Sequence, residues 1–255
     1  VWDVSRGLPE LGGGLDYVLH LASRASPEDY MEHPVEAALT NALGTYHALE
    51  LARRRDAVFL LTSTSEVYGD AQVVPTPETY WGHVNPIGVR SCYDEGKRFA
   101  EALAMAYRRE YGLDVRVTRI FNAYGPRLRP DGPYARVVSR FVWQALRGEP
   151  ITVHGDGRQT RSFCYVRDVV EAHMLALKSS ECRGEVLNVG SDEETRIVDL
   201  ARMVLELTGS RSRIVFTEPR EDDPRRRCPD VSKARRLLGW EARTSLREGL
   251  RRTIE

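Results

Sequence analysis

The chain of 255 residues carries 37 basic and 37 acidic side chains, a net charge of zero spread along its length. That balance leaves no electrostatic footprint for nucleic acid or an anionic membrane, and the length suffices for one large domain or two smaller ones around a sizeable core. Four scattered cysteines with no Cys-x-x-Cys pair, and six histidines with no His-x-x-x-His pair, argue against a disulfide framework or a metal site and fit a soluble, cytoplasmic protein. No apolar run approaches the ~18 residues of a membrane helix.

In chain order, Val1-Trp2-Asp3-Val4 reads as the end of a strand, and a loop with Gly12-Gly13-Gly14 follows. Residues 15–22 have the pattern of a buried strand. Residues 34–55 predict a helix, with Pro34 in its first turn and Ala37, Leu39, Leu43, Ala48, Leu49 and Leu51 as its apolar stripe. A second buried strand at 57–61 runs into polar Thr62-Ser63-Thr64-Ser65-Glu66, and a long loop covers 69–91. A helix bearing Tyr93 and Lys97 then extends to Gly112, and 114–120 forms a third strand. Strands alternating with helices at this spacing predict an α/β fold with a parallel sheet. Ligands of such sheets bind beyond the carboxyl ends of the strands, here His20 to Ser23, Thr62 to Glu66 and Phe121 to Gly125. Beyond 125, helices are expected at 136–147, 167–178, 196–208 and from 232 onward. Short strands are expected near 151–153, 162–165, 185–189 and 213–217.

Tyr93 and Lys97 are four residues apart, on one helical face. A tyrosine hydroxyl titrates near ~10, and an ammonium beside it favours the phenolate. Such a tyrosine can take a proton from a substrate hydroxyl. The spacing by itself is common, but the chain has 34 arginines and 3 lysines, and Lys97 is the only lysine before Lys178. A compact ammonium on a flexible stem was therefore selected at this position.

Several segments together resemble the extended short-chain dehydrogenase/reductase family, and within it the UDP-glucuronate decarboxylases (UDP-xylose synthases). They are His20-Leu21-Ala22-Ser23, Ser63 through Gly69, Tyr80-Trp81-Gly82-His83-Val84-Asn85-Pro86-Ile87-Gly88, and Arg90 through Arg98. The match continues through Arg119 to Arg127, Gly155 to Phe163, Asp222 to Asp230 and Leu238-Gly239-Trp240. Tyr-x-x-x-Lys marks the superfamily; the Trp-Gly-His-Val-Asn-Pro run and Thr64-Ser65-Glu66 are more specific.

The resemblance implies a Rossmann-like doubly wound sheet, with residues 1–125 as the NAD-binding domain and 126–255 mainly a nucleotide-sugar-binding lobe. It implies NAD as cofactor, a UDP-sugar as substrate, and a homodimer built on the 34–55 and 93–111 helices. Tyr93 would take the 4-hydroxyl proton with Lys97 nearby, and Thr64 would hydrogen-bond the C4 oxygen. Glu66 would orient the sugar or handle a proton near C5, and Arg161 would protonate or stabilise the C5 enolate. Ser65 stands where related 4,6-dehydratases carry an acidic aspartate, which favours decarboxylation. Asp3, His20, Ala22, Ser23 and Ile120, with Tyr93 and Lys97, would border the cofactor. Arg90 would pair with the sugar carboxylate, and Asn122, Arg136 and Arg227 would hold the nucleotide. Plainer roles remain open: Thr64 as a strand-end cap, Glu66 as an ordinary arginine partner, Arg90 as an exposed loop residue.

Arg24, Arg140 and His154 depart from the family's usual proline, asparagine and tyrosine, and the 128–135 loop is longer. The glycine-rich strand–turn–helix unit that opens the family's fold has no counterpart, since Gly12-Gly13-Gly14 precedes a strand. The resemblance therefore implies a piece of a longer gene product. Another nucleotide-sugar epimerase or dehydratase, and a non-catalytic remnant that binds nucleotide sugar or dimerises, stay open as alternatives.

Overall fold

The computed structural model describes residues 2–255; the part of the expected opening strand that falls on Val1 lies outside them. The rest of that expectation is corrected. Val4–Arg6 is a 3₁₀ turn, because the Asp3 side chain accepts from the Ser5 amide and caps a turn instead of extending a strand. The chain continues through β1 (Tyr17–His20), α1 (Pro27–Glu32), α2 (Pro34–Arg55), β2 (Val58–Thr64), α3 (Ser91–Tyr111), β3 (Val115–Ile120) and β4 (Ala123–Tyr124). It then forms α4 (Val137–Leu146), β5 (Ile151–His154), β6 (Thr160–Ser162), β7 (Cys164–Tyr165), α5 (Val166–Lys178) and β8 (Val186–Val189). Last come β9 (Glu194–Arg196), α6 (Ile197–Thr208), β10 (Ile214–Thr217), β11 (Arg226–Arg227), α7 (Ser232–Leu238) and α8 (Leu246–Ile254).

The main sheet has the order β1-β2-β3-β8, with every pairing parallel. Of its inner strands, β2 is apolar toward both faces over Val58–Leu61, as a strand covered by helices should be, whereas β3 alternates valines with Arg116 and Thr118. Phe59, Leu61, Val115 and Val117 pack with Leu49 and Ala52 of α2 and with Ala100 and Ala104 of α3. The expected stripe on α2 is partly corrected. Ala37, Ala48 and Leu49 are buried, whereas Leu39 and Leu43 are exposed. The inward face is instead made of small and polar residues, Asn41, Gly44, Thr45 and Ala52 among them, because α2 lies close against α3. A Cβ on Gly96 of α3 would sit 3.1 Å from the Asn41 Cβ, so a larger residue there would push the two helices apart.

α1 was missed by the sequence reading. Its signal is present: Ser26 precedes Pro27, and Glu28 and Asp29 fill the first turn. The C-terminal half forms its own core from Tyr124, Phe141, Ile151, Val153, Leu200, Val204 and Leu250. Small sheets β10-β5, β11-β6-β9 and β4-β7 shape that half, while β8 returns to the main sheet. Among the described residues, no helix is long and apolar enough to cross a membrane.

Candidate active site

The carboxyl ends of β2 and β3 meet the amino end of α3, and most of the expected site residues gather there. β2 ends in Thr64, whose Oγ1 accepts from the Glu66 amide at 3.3 Å and so caps the 3₁₀ turn Ser65–Tyr68. The Thr64 side chain also acts on the Tyr93 hydroxyl, favouring its ionised form, so the cap does not take Thr64 away from the reactive tyrosine. Ser65 is buried at 2% exposure and carries a hydroxyl in place of an acid. The turn leaves β2 through Gly69, where φ is +60° and a Cβ would lie 2.1 Å from the His83 carbonyl oxygen.

Arg90, at the amino end of α3, is buried at 4% exposure and is no loop arginine. Its Nη2 donates to Glu66 Oε2 at 2.8 Å, and its Nη1 lies 3.5 Å from Asp223 Oδ1. Arg227 of β11 donates to the same Glu66 oxygen at 2.7 Å. Arg161 of β6 donates to Asp223 Oδ2 at 2.8 Å. Burial alone would raise the Glu66 carboxyl, but Arg227, Arg90 and Arg161 outweigh it and hold the group below its ordinary value. Burial lowers Arg161 to about 10, with Arg227 adding like-charge repulsion.

Tyr93 is buried, and burial pushes its hydroxyl up to about 12 against the pull of Arg136 and Thr64. Lys97, expected to lower it, spends its ammonium on the Thr62 carbonyl at 3.0 Å and is itself lowered to about 8 by burial. The two are thus on one helical face as expected, but desolvation dominates the electrostatics of each. Behind them, Arg119 of β3 clamps Glu101 of α3 at 3.0 and 2.7 Å, and Ser63 of β2 donates to Glu101 at 2.5 Å. This bracing ties the helix that carries both residues to the ends of two strands.

Glu66, Arg90, Asn122, Arg136, Arg161 and Arg227 line one cavity of ≈ 170 Å³. Asn122 follows β3 with φ +40° and donates to the Ser162 carbonyl at 2.8 Å, while Arg136 caps α4 and donates to the Ala25 carbonyl at 2.9 Å. The expected cofactor residues lie apart from that cavity. Asp3, Ala22 and Ser23 line a separate cleft of ≈ 310 Å³ beyond the end of β1. Ile120 closes β3, and His20 closes β1 with its ring buried and lowered to about 4 by burial, reinforced by Lys97.

Two neighbours escaped the sequence reading. Tyr30 of α1 stacks on Tyr93 with ring centroids 5.0 Å apart and planes within 2°. Asp94, beside Tyr93, is buried and raised well above the usual carboxylate range by burial and by Glu66. Position next to Tyr93 was the available signal for Asp94; Tyr30 required recognising α1.

The family model described as GDP-mannose 4,6 dehydratase matches residues 14–253. UDP-glucuronic acid decarboxylase 1 of Xenopus tropicalis is 51% identical over 240 residues, covering 94% of this chain and 56% of that protein. UDP-glucuronic acid decarboxylase 5 of Arabidopsis thaliana is 52% identical over 236 residues, covering 92% and 68%. The chain thus spans between about half and two thirds of these relatives. Among solved structures, UDP-glucuronic acid 4-epimerase from Bacillus cereus, in complex with UDP-glucuronic acid and NAD, superposes with a TM-score of 0.83 at 29% identity, covering 94% of this chain and 74% of that one. With the parallel sheet, the Tyr93–Lys97 helix and the arginine-lined cavity in place, these likenesses show that the chain belongs to the NAD-dependent extended short-chain dehydrogenase/reductase family, alongside the UDP-glucuronic acid decarboxylases.

Proposed function

We propose that the protein converts UDP-glucuronate to UDP-xylose and CO₂, using NAD that is regenerated within each turnover. The observation that carries this reading is the charge arrangement of the cavity. Three buried guanidiniums, Arg90, Arg161 and Arg227, face the carboxylates of Glu66 and Asp223, which leaves a surplus cation for an anionic sugar. Guanidinium forks suit carboxylate and phosphate oxygens.

The residues at the end of β1 fit a nicotinamide dinucleotide. The buried His20 Nε2 finds no protein partner, and the cleft formed by Asp3, Ala22 and Ser23 opens at the same strand end. When bound, NAD would supply the two-electron exchange at C4 of the sugar. Tyr93 takes the 4-hydroxyl proton only as its phenolate, a form that burial opposes and that Arg136 and Thr64 favour. Lys97, fixed on the Thr62 carbonyl, holds the first turns of α3 against β2. Arg90 pairs with the sugar carboxylate until the C5–C6 bond breaks. The electrons of that bond pass into the C4 ketone, CO₂ departs, and C5 of the enolate takes a proton from solvent water, with Arg161 as the neighbouring cation. Tyr93 then returns its proton to the C4 oxygen. Glu66 positions Arg90 and Arg227, and Asn122 and Arg136 line the nucleotide end of the cavity.

Dehydration, the activity in the matched model's description, requires an acid to expel the C6 hydroxyl, and Ser65 supplies none. Exposed Val35, Leu39, Leu43 and Tyr46 on α2, with Phe99 on α3, support a homodimer; sedimentation as a monomer would remove that part of the reading. Four free cysteines, three of them buried, favour a reducing cytoplasm, which cell fractionation tests. The decisive assay supplies UDP-glucuronate to purified protein. Equal yields of CO₂ and UDP-pentose are expected, and a product that keeps its sixth carbon refutes decarboxylation.

A further inference from the structure

Glu28 lies in the first turn of α1, and one oxygen of its carboxylate accepts from two guanidiniums. Arg140 Nη2 of α4 is one donor, and Arg220 Nη2, from the loop after β10, is the other at 2.6 Å. Arg140 also reaches His154 Nε2 at 3.4 Å, and His154 Nδ1 lies 3.0 Å from Thr217 Oγ1. A guanidinium has no acceptor, so the histidine ring is neutral and adds no positive charge of its own. Two cations sharing one carboxylate oxygen leave an excess of positive charge and several unused N–H donors.

This bridge stands where three spaces meet. Arg140 and Arg220 line the inner cavity of ≈ 170 Å³ that also contains Glu66 and Arg161. Glu28 and Arg220 line a groove of ≈ 530 Å³, and Arg220 with His154 lines another of ≈ 540 Å³. Small-molecule sites occupy roughly 300–1,000 Å³, so the inner cavity alone is too small for a nucleotide sugar. It reaches that size by joining a neighbouring groove, and Arg220, which Glu28 holds, is on the wall of all three spaces.

We propose that Arg140 and Arg220 form a phosphate-binding pair, held in this structure by Glu28, and that the diphosphate of an entering nucleotide sugar displaces the Glu28 carboxylate and joins the inner cavity to the grooves beside it. The substrate class rests on the function proposed above. A diphosphate offers more acceptor oxygens and more charge than one carboxylate oxygen, and it fits the guanidinium forks. The exchange is a side-chain swing, because α1 is tethered independently: Arg24 binds Asp29 at 2.5 Å and Glu36 at 2.6 Å. Glu28 lowers the apparent affinity by occupying the pair, as any internal competitor does.

The test is calorimetric titration of UDP, and separately of inorganic pyrophosphate, into the wild type, E28Q, E28D, R140Q, R220Q and E28Q/R140Q. E28Q is expected to bind UDP about three- to fivefold tighter, the size of a partly exposed ion pair. E28D, which keeps the charge but shortens the reach, should gain in the same direction. R140Q and R220Q should each weaken UDP about tenfold, the scale of a lost charged hydrogen bond, and the E28Q gain should shrink in E28Q/R140Q. Unchanged or weaker binding in both Glu28 variants overturns the proposal, as does an undiminished gain in the double variant. A wild type that binds neither UDP nor pyrophosphate overturns it as well. Affinity is read here without turnover. Protein that shows these shifts but leaves UDP-glucuronate intact discards the decarboxylase reading and keeps the phosphate pair.

Discussion

Replacing Glu66 with glutamine removes the carboxylate on which Arg90 and Arg227 converge at 2.8 and 2.7 Å. Both arginines are buried, at 4% and 8% exposure, and a glutamine carbonyl oxygen can still accept from both but would leave their charges uncompensated. Breaking a buried ion pair by removing one partner costs about 3–5 kcal/mol, mostly as the desolvation of the charge left behind. The low end applies here, because Arg90 keeps Asp223 at 3.5 Å and the Tyr30 ring at 6.0 Å. A loss of about 3 kcal/mol lowers the melting temperature of a domain this size by roughly 6–12 °C. Thermal unfolding of E66Q, R227Q and E66Q/R227Q reads it, and the double variant should lose less than the sum of the singles by about 1–3 kcal/mol. A melting temperature for E66Q within about 2 °C of wild type, or additive losses, would show that the cluster is solvated and that the cavity's charge balance has been misread.

Tyr93→Phe should lower kcat about 10²–10⁴-fold, the usual contribution of a placed proton-transfer group, with UDP affinity unchanged within error because the ring stacked on Tyr30 remains. Equal losses in kcat and UDP affinity would instead make Tyr93 a binding residue. Burial pushes His173 down to about 4 while its ordinary value is near 6.5, so between these values the unfolded chain takes up a proton that the native chain refuses. Stability from this group is complete above pH ~6.5 and falls, by up to about 3 kcal/mol, as the pH drops toward 4. Urea midpoints at neutral and acid pH should therefore differ less in His173→Gln than in wild type; parallel losses in the two proteins would refute this assignment.

The parts of the fold legible in the sequence were those with long, regular periods. α2 and α3 begin and end within a residue or two of expectation, since Pro34, Asp56 and Gly112 mark their ends. The inward face of α2 was harder to read. Leucines at 39 and 43 drew attention as core candidates, yet close helix packing favours small residues, and the leucines face outward. The reactive segment was legible as local motif, because Thr64 to Glu66 and Tyr93 to Lys97 are contiguous runs at element ends. Their electrical partners were not. Glu66 and Arg227 are 161 positions apart and Glu28 and Arg220 are 192 apart, so only the folded topology brings them together. The expected Tyr93–Lys97 coupling was drawn from spacing and from the scarcity of lysine, neither of which carries information on burial, which dominates the titration of both groups.

The scarcity of lysine acquires a practical meaning once the burial of Lys97 is known. Of the three lysines, Lys178 is exposed, Lys233 is tied to Glu185 at 2.6 Å, and Lys97 is 3% exposed. Amine-directed reagents should therefore modify Lys178 readily and leave Lys97 untouched while α3 stays seated on β2. Slow modification of Lys97, followed by peptide mass, becomes a clock for the opening of the helix that carries Tyr93, with almost no competing signal from the arginine-coated surface.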